Sequence, residues 1–192
     1  MKKYVQGLSI FKFFFILIYI FFTNFTAVLS SDSIWDEARH GNKVILIRHS
    51  LAPGSGDPAG FKIDDCKTQR NLNKAGIEQS KKIGKIFKNN KISIDIVLSS
   101  EWCRCKDTAK NAFKNYKTFK ALNSFFSSKF AKNREEQMKE LKAFVKNWNS
   151  KKNIVFVTHY VVILEALNET ASPGTIIIAD KKFKIIETIE TN

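Results

Sequence analysis

The chain has 192 residues, 44% of them hydrophobic, and 32 Lys and Arg against 18 Asp and Glu give it a formal charge of +14. About 160 residues follow an apolar N-terminal stretch, enough for one domain with a sizeable core but too few for two. The positive balance points to an anionic partner, yet no RNA-binding aromatic motif, helix-turn-helix signature or zinc-finger spacing accompanies it, which sets nucleic acid aside.

In chain order, Met1-Lys2-Lys3 gives a positive start, residues 13–22 are an unbroken run of Phe, Ile, Leu and Tyr, and a more polar stretch covers residues 23–31. This order predicts a signal peptide over residues 1–30, cleaved near Ser30. Its apolar core is shorter than the roughly 20 residues of a spanning helix. The alternative is an uncleaved N-terminal anchor, the one route by which the protein would touch a membrane. Either way residues 31–192 are expected to be exported, periplasmic or secreted. Three lysines and no acids fall on the first thirty residues, so residues 31–192 carry +11. Lys81, Lys82, Lys85 and Lys88 lie on one predicted helix and read as a solvated face.

Residues 43–47, apolar and branched after Lys43, have the pattern of a strand buried on both faces. They run into Arg48-His49. Pro53, Gly54, Gly56, Pro58 and Gly60 mark residues 50–68 as a long loop. Asn73 can cap a helix reaching about residue 89, with Ile83, Ile86 and Phe87 on its apolar stripe. A second strand over residues 94–98 ends in Ser99-Ser100, a helix is predicted over 102–113, and a third strand over 116–122. After a loop, a helix over 134–148 turns Met138, Leu141, Phe144 and Val145 inward. A fourth strand over 153–157 leads into Thr158-His159, followed by a short helix over 161–167 and an edge hairpin over 175–178 and 183–189. There are no internal repeats or low-complexity segments in residues 31–192.

Strands alternating with helices predict a three-layer α/β/α sandwich around a mainly parallel sheet. In such sheets, sites form beyond the carboxyl ends of the strands. Two of the three histidines, His49 and His159, sit at such ends. A neutral imidazole is nucleophilic near pH 7, and an arginine fork matches the oxygens of a phosphate. Arg48 and His49 therefore make half of a phosphate-handling site, and His40, in a polar stretch before the first strand, is expected to stay outside it.

Four segments in order resemble the histidine phosphatase superfamily, which includes the phosphoglycerate mutases. Leu46-Ile47-Arg48-His49-Ser50 resembles its Arg-His-Gly signature, with Ser50 for the usual glycine. Arg70-Asn71-Leu72-Asn73-Lys74-Ala75-Gly76 is similar to the entry to its first helix. Ser99-Ser100-Glu101-Trp102-Cys103-Arg104 through Thr108-Ala109 resembles the segment of its second arginine, and Val157-Thr158-His159 that of its second histidine. Together they span nearly all of residues 31–192.

The resemblance implies a phosphoglycerate mutase-like fold and a phosphohistidine on His49, with Arg48, Arg104 and His159 holding phosphate oxygens and no metal or other cofactor. Arg70 would touch substrate or brace its loop. Many relatives carry a glutamate proton donor soon after the third strand. Here residues 121–126 hold no acid, and Glu135 and Glu136, at a helix start, are the candidates that remain. Without an acid, turnover should favour leaving groups of low pKa, such as phosphohistidine, acyl phosphates or aryl phosphates. The loop with Gly56-Asp57-Pro58 and Asp64-Asp65-Cys66 looks like exported relatives, some linked to envelope lipopolysaccharide phosphates. The substrate would be a phosphorylated small molecule or an envelope phosphate group. A non-catalytic module holding an anionic envelope ligand is the alternative, and a phosphomutase a further one.

Cys66, Cys103 and Cys105 are an odd set. Export predicts one disulfide, Cys66 with Cys103 or with Cys105, because adjacent-but-one cysteines cannot bridge without severe strain. Their spacing matches no zinc pattern.

Overall fold

A computed structural model describes residues 34–191; the expected signal peptide lies outside them. Six strands form one sheet: β1 (Val44–Arg48), β2 (Ile94–Ser99), β3 (Lys117–Thr118), β4 (Asn153–Thr158), β5 (Ile176–Ala179) and β6 (Ile185–Ile189), in the order β3-β2-β4-β1-β5-β6. The pairs β3–β2, β2–β4 and β4–β1 are parallel, whereas β5 runs antiparallel to both β1 and β6. The longer helices are α1 (Lys74–Asn89), α2 (Cys103–Phe113), α3 (Arg134–Asn147) and α4 (Tyr160–Leu167), with short helical turns at Asp36–His40 and Ser128–Ala131. These strands and longer helices belong to one structural unit that begins at Glu37.

Alternation along the strands explains the layers. Val44 and Leu46 of β1, Ile154 and Phe156 of β4, Leu98 and Ile177 pack with Met138, Leu141 and Val145 of α3 and Val162 and Ile163 of α4. Successive side chains in a strand point to opposite faces, so Ile45, Ile47, Val155 and Val157, also fully buried, face the other side. There α1 and α2 pack on each other and α2 packs on β2 and β4. Burying one such side chain contributes on the order of 2 kcal/mol. The expected three-layer, mainly parallel arrangement is what the chain adopts.

Local chemistry sets the helix starts. The side chain of Asn73 caps α1 by accepting from the Gly76 amide at 2.8 Å. Gly76 lies so close to the Leu51 carbonyl that a Cβ there would collide with it, so the helix that follows the loop is packed tightly against the loop's first turn. Lys81, Lys82, Lys85 and Lys88 are all exposed on α1.

Two expected elements change. The third strand shrinks to Lys117–Thr118 and is followed by a tight helical turn, Lys120–Leu122. Ala121 and Leu122 are fully buried by that turn instead of by strand alternation. Its carbonyls find side-chain donors: Gln137 Nε2 reaches those of Lys120, Ala121 and Asn123, and Thr158 Oγ1 that of Leu122. The C-terminal hairpin is not wholly at an edge either. β5 lies inside the sheet beside β1 with all four residues buried, and only β6 is an edge strand.

Candidate active site

Register brings the two histidines together. Arg48 pairs with Thr158 across β1 and β4, so His49 and His159 are each the next residue on adjacent parallel strands. The His49 amide donates to the Thr158 carbonyl at 2.9 Å, and the Ser100 amide, after β2, donates to the Val157 carbonyl at 2.9 Å. Three neighbouring strand ends thus deliver His49, His159 and Ser100 to one place. The two imidazole centroids lie 5.5 Å apart. Arg48, His49, Arg70, Arg104 and His159 all line a cleft of about 310 Å³.

The nitrogens of His49 are distinguished by their partners. Nδ1 lies 2.8 Å from the Ser50 carbonyl, which can only accept, so Nδ1 carries the proton. Nε2 then holds the lone pair, toward which Arg104 Nε donates at 3.2 Å. Burial, then the charge of Arg104, hold His49 well below the usual histidine range, so the ring is neutral at pH 7. Ser50 is fully buried and is not among the residues with a positive φ, so a side chain at this position strains nothing. Its amide donates to Thr108 Oγ1 at 3.0 Å and its hydroxyl is hydrogen-bonded to that of Ser80 at 2.8 Å, which fixes the peptide that orients His49.

His159 uses the opposite nitrogen. Its Nε2 is 2.9 Å from Ser100 Oγ. That hydroxyl donates to Asn123 Oδ1 at 3.1 Å, so the histidine is the donor in their bond. Asn123 is itself oriented, accepting from the Glu101 amide and donating to the Glu101 carboxylate at 2.7 Å. Burial, then the charges of Arg104 and His49, lower the pKa of this ring as well. Cys105, 3.5 Å from the same Nε2, is fully buried, and burial pushes its thiol up to about 12, which makes it an inert neighbour.

Arg48 donates through Nη1 to the Ala171 carbonyl at 2.6 Å and lies over the Tyr160 ring. Its Nε is buried with no partner among the described residues, an unmet donor in a residue that lines the cleft. Arg104, 3% exposed, grips Asp57 with both terminal nitrogens, at 2.7 and 3.2 Å. Asp57 also accepts from Trp102 Nε1 at 2.9 Å and from the Arg70 amide at 3.2 Å. Burial opposes ionisation of Asp57, but the Arg104 fork and the other donors outweigh it and hold the carboxyl below its usual range. Arg70 donates to the carbonyls of Gly56 and Ala52, so it braces the loop as well as lining the cleft.

A disulfide joins Cys66 to Cys103, the first residue of α2, with Cα atoms 5.7 Å apart. It ties the loop that carries Asp57 to the helix that carries Arg104. Gln69 adds to this tie: its Oε1 accepts from the Cys103 amide at 2.9 Å.

Glu135 and Glu136 do not reach the cleft. Both are exposed in the first turn of α3, whose buried face begins at Gln137, and Glu136 lines a neighbouring hollow beyond Phe61 and Phe130. His40, exposed at the end of a short helix, also lies outside. Sequence reasoning missed Asp57, Ser100 and Trp102 as members of the site. An acid between a glycine and a proline in the loop after Arg48-His49 is the signal that could have singled out Asp57. Among the described residues, no group of three or more His, Cys, Asp and Glu side chains is arranged to hold a metal ion.

No protein-family model matches the chain, and no curated protein matches its sequence. Solved structures do match its fold. An Escherichia coli K-12 protein designated an alpha-ribazole-5'-P phosphatase aligns with a TM-score of 0.55 at 16% identity, over 76% of this chain and 95% of that one. TTHB049 from Thermus thermophilus aligns at 0.56 and 14% identity, over 78% and 96% of the two chains. A protein designated the phosphohistidine phosphatase SixA, from Agrobacterium tumefaciens, aligns at 0.51 and 19%, over 78% and 98%. With its strand order, its helices and its paired histidines beyond β1 and β4, the chain has a phosphoglycerate mutase-like fold.

Proposed function

We propose that the protein is a phosphatase that passes a phosphoryl group from an organic phosphate to His49 and then to water. The observation that carries this reading is the state of His49: neutral, protonated on Nδ1, with the Nε2 lone pair turned toward a buried arginine. A phosphomonoester is anionic, so an uncharged attacker meets less repulsion, and its oxygens need cations. Arg48, Arg70 and Arg104 supply three around one cleft, and the unpaired Nε of Arg48 is a donor that a phosphate oxygen would satisfy. His159, held through Nε2 by Ser100, keeps Nδ1 for the substrate. Phosphoryl transfer depends mainly on such positioning and charge stabilisation.

As His49 Nε2 attacks phosphorus, Arg104 exchanges its bond to that lone pair for one to a phosphate oxygen. His159, taking up a proton as the dianion enters, donates a further hydrogen bond. Water then cleaves the phosphohistidine. The mouth of the cleft supports an organic phosphate with an apolar or planar body, because Phe61, Phe126, Phe130 and Tyr160 line it and Phe126 is 52% exposed. The Cys66–Cys103 disulfide supports an exported protein, since such bonds persist in oxidising compartments.

Release of phosphate from p-nitrophenyl phosphate in excess EDTA tests the reading, with His49→Ala as the comparison. The parent should turn over and form an acid-labile, base-stable phosphoprotein, and the variant should do neither. A folded parent that binds phosphate yet releases none from any ester between pH 4 and 8 would instead favour a binding module.

A further inference from the structure

The cleft lacks an acid after β3, but it does not lack an acid. Asp57 is the one carboxylate among the described residues that line it. It reaches the cleft from the loop after β1, where Gly54 and Gly56 both take positive φ and let the backbone fold tightly under Arg70. His49 Nε2 and the Asp57 carboxylate contact different edges of one guanidinium, Nε on one side and the two terminal nitrogens on the other. A phosphoryl group bound to Arg104 therefore has the nucleophile and this carboxyl as neighbours.

We propose that Asp57 is the proton donor to the leaving group, released for that work when the substrate's phosphate takes over Arg104. The inference rests on the phosphatase reading above. In the structure four donors surround the carboxylate and keep it ionised. An incoming phosphate competes for two of them, both from Arg104, and sets a like charge beside the carboxylate. Both changes favour its protonation. A phosphate monoester has a second pKa near about 6 and can bring the proton as its monoanion.

The proton then follows the bonds. As His49 Nε2 bonds to phosphorus, the ester P–O bond breaks, its electron pair stays on the leaving oxygen, and that oxygen takes the Asp57 proton. In the second half, a water oxygen bonds to phosphorus while its proton passes to the Asp57 carboxylate. The P–N bond breaks and its electron pair returns to Nε2. The trigger is built into the site, since the same arginine that restrains the acid is the one the substrate must occupy.

The test is kcat/KM across aryl and alkyl phosphates of rising leaving-group pKa, for the parent and Asp57→Asn. With Asp57 as donor, Asp57→Asn loses about a hundredfold or more on alkyl phosphates and about tenfold or less on 2,4-dinitrophenyl phosphate. An equal loss across the series overturns the proposal and leaves Asp57 as a positioning residue for Arg104, with the phosphatase reading intact. The parent provides a measurement that does not depend on the variant folding: a shallow dependence on leaving-group pKa is expected, and a steep one overturns the proposal. If the folded parent releases phosphate from no member of the series, the phosphatase reading itself fails, and this inference with it.

Discussion

His49 and His159 occupy the same backbone position on neighbouring parallel strands, yet each is fixed by a different nitrogen. On His49 a carbonyl one residue away takes Nδ1, and Nε2 is left toward Arg104. On His159 a hydroxyl from a third strand takes Nε2, and Asn123 and Glu101 steady that hydroxyl in turn. Two residues alike in the sequence pattern thus become unlike reagents. The difference lies in their hydrogen-bond partners, because both rings are almost fully buried at 2% and 3% exposure. What a histidine can do at a strand end is settled by which of its nitrogens the protein occupies.

The sharpest way to break this comparison is to remove each ring in turn. His49→Ala should abolish the covalent step and lower kcat about 10⁴-fold or more, with no phosphoprotein formed. His159→Ala should lower kcat about 10²- to 10³-fold, the range for losing one donor to a developing charge, and should still form the phosphoprotein. Acid-quench trapping of radiolabelled enzyme separates the two. A phosphoprotein in His49→Ala, or its absence in His159→Ala, would reverse the assigned roles.

The comparison also shows which features are legible in a sequence. Arg48-His49 and Thr158-His159 can be read because each follows a run of branched apolar residues that only a buried strand explains. The layer order follows from the same runs. The turn at Lys120–Leu122 cannot be read so, since Gln137 and Thr158, distant in sequence, supply its hydrogen bonds. Asp57 is obscured for a related reason. Its place depends on Arg70 folding the loop and on Cys66 being tied to Cys103, and loop residues carry no periodicity that would reveal either.

The staple distinguishes the two halves of the site as well. Cys66–Cys103 closes 37 residues of chain and holds the loop against the helix of Arg104, whereas nothing covalent restrains His159. Cys66→Ser with Cys103→Ser should lower unfolding free energy by about 3 kcal/mol in chemical denaturation. It should also raise KM for a simple phosphate, because Arg104 loses its fixed partner. A stability loss with KM unmoved would show that Asp57 holds Arg104 without the staple.

Ser100→Ala addresses the His159 side alone. It leaves His49 and its carbonyl untouched but frees His159 Nε2, so kcat should fall about tenfold, the scale for losing an orienting partner. Ser100→Thr, which retains a hydroxyl, should recover part of the loss. A change in KM alone would mean that Ser100 shapes the cleft without orienting the ring.

A dependence on pH is shared by both rings. Each is held neutral in the folded protein by burial and by Arg104, while in the unfolded chain histidine titrates near 6.5. Above that pH both states are neutral and the rings do not affect stability. Below it the unfolded chain binds protons that the folded one refuses, so stability falls from pH 7 toward 5, by at most about 1.4 kcal/mol per pH unit for each ring. Asp57 acts lower: its contribution is complete above its unfolded value of 3.8 and is lost as pH falls through the still lower folded one. Denaturant melts between pH 7 and 5 should therefore show a slope that His159→Asn reduces. Inorganic phosphate should flatten it too, because an anion between the rings lets the folded state accept the proton, and its binding at about pH 8, where the ligand is mostly the dianion, should be accompanied by proton uptake in calorimetry. Binding without uptake would mean that the arginines alone neutralise the phosphate and that both histidines stay neutral beside it.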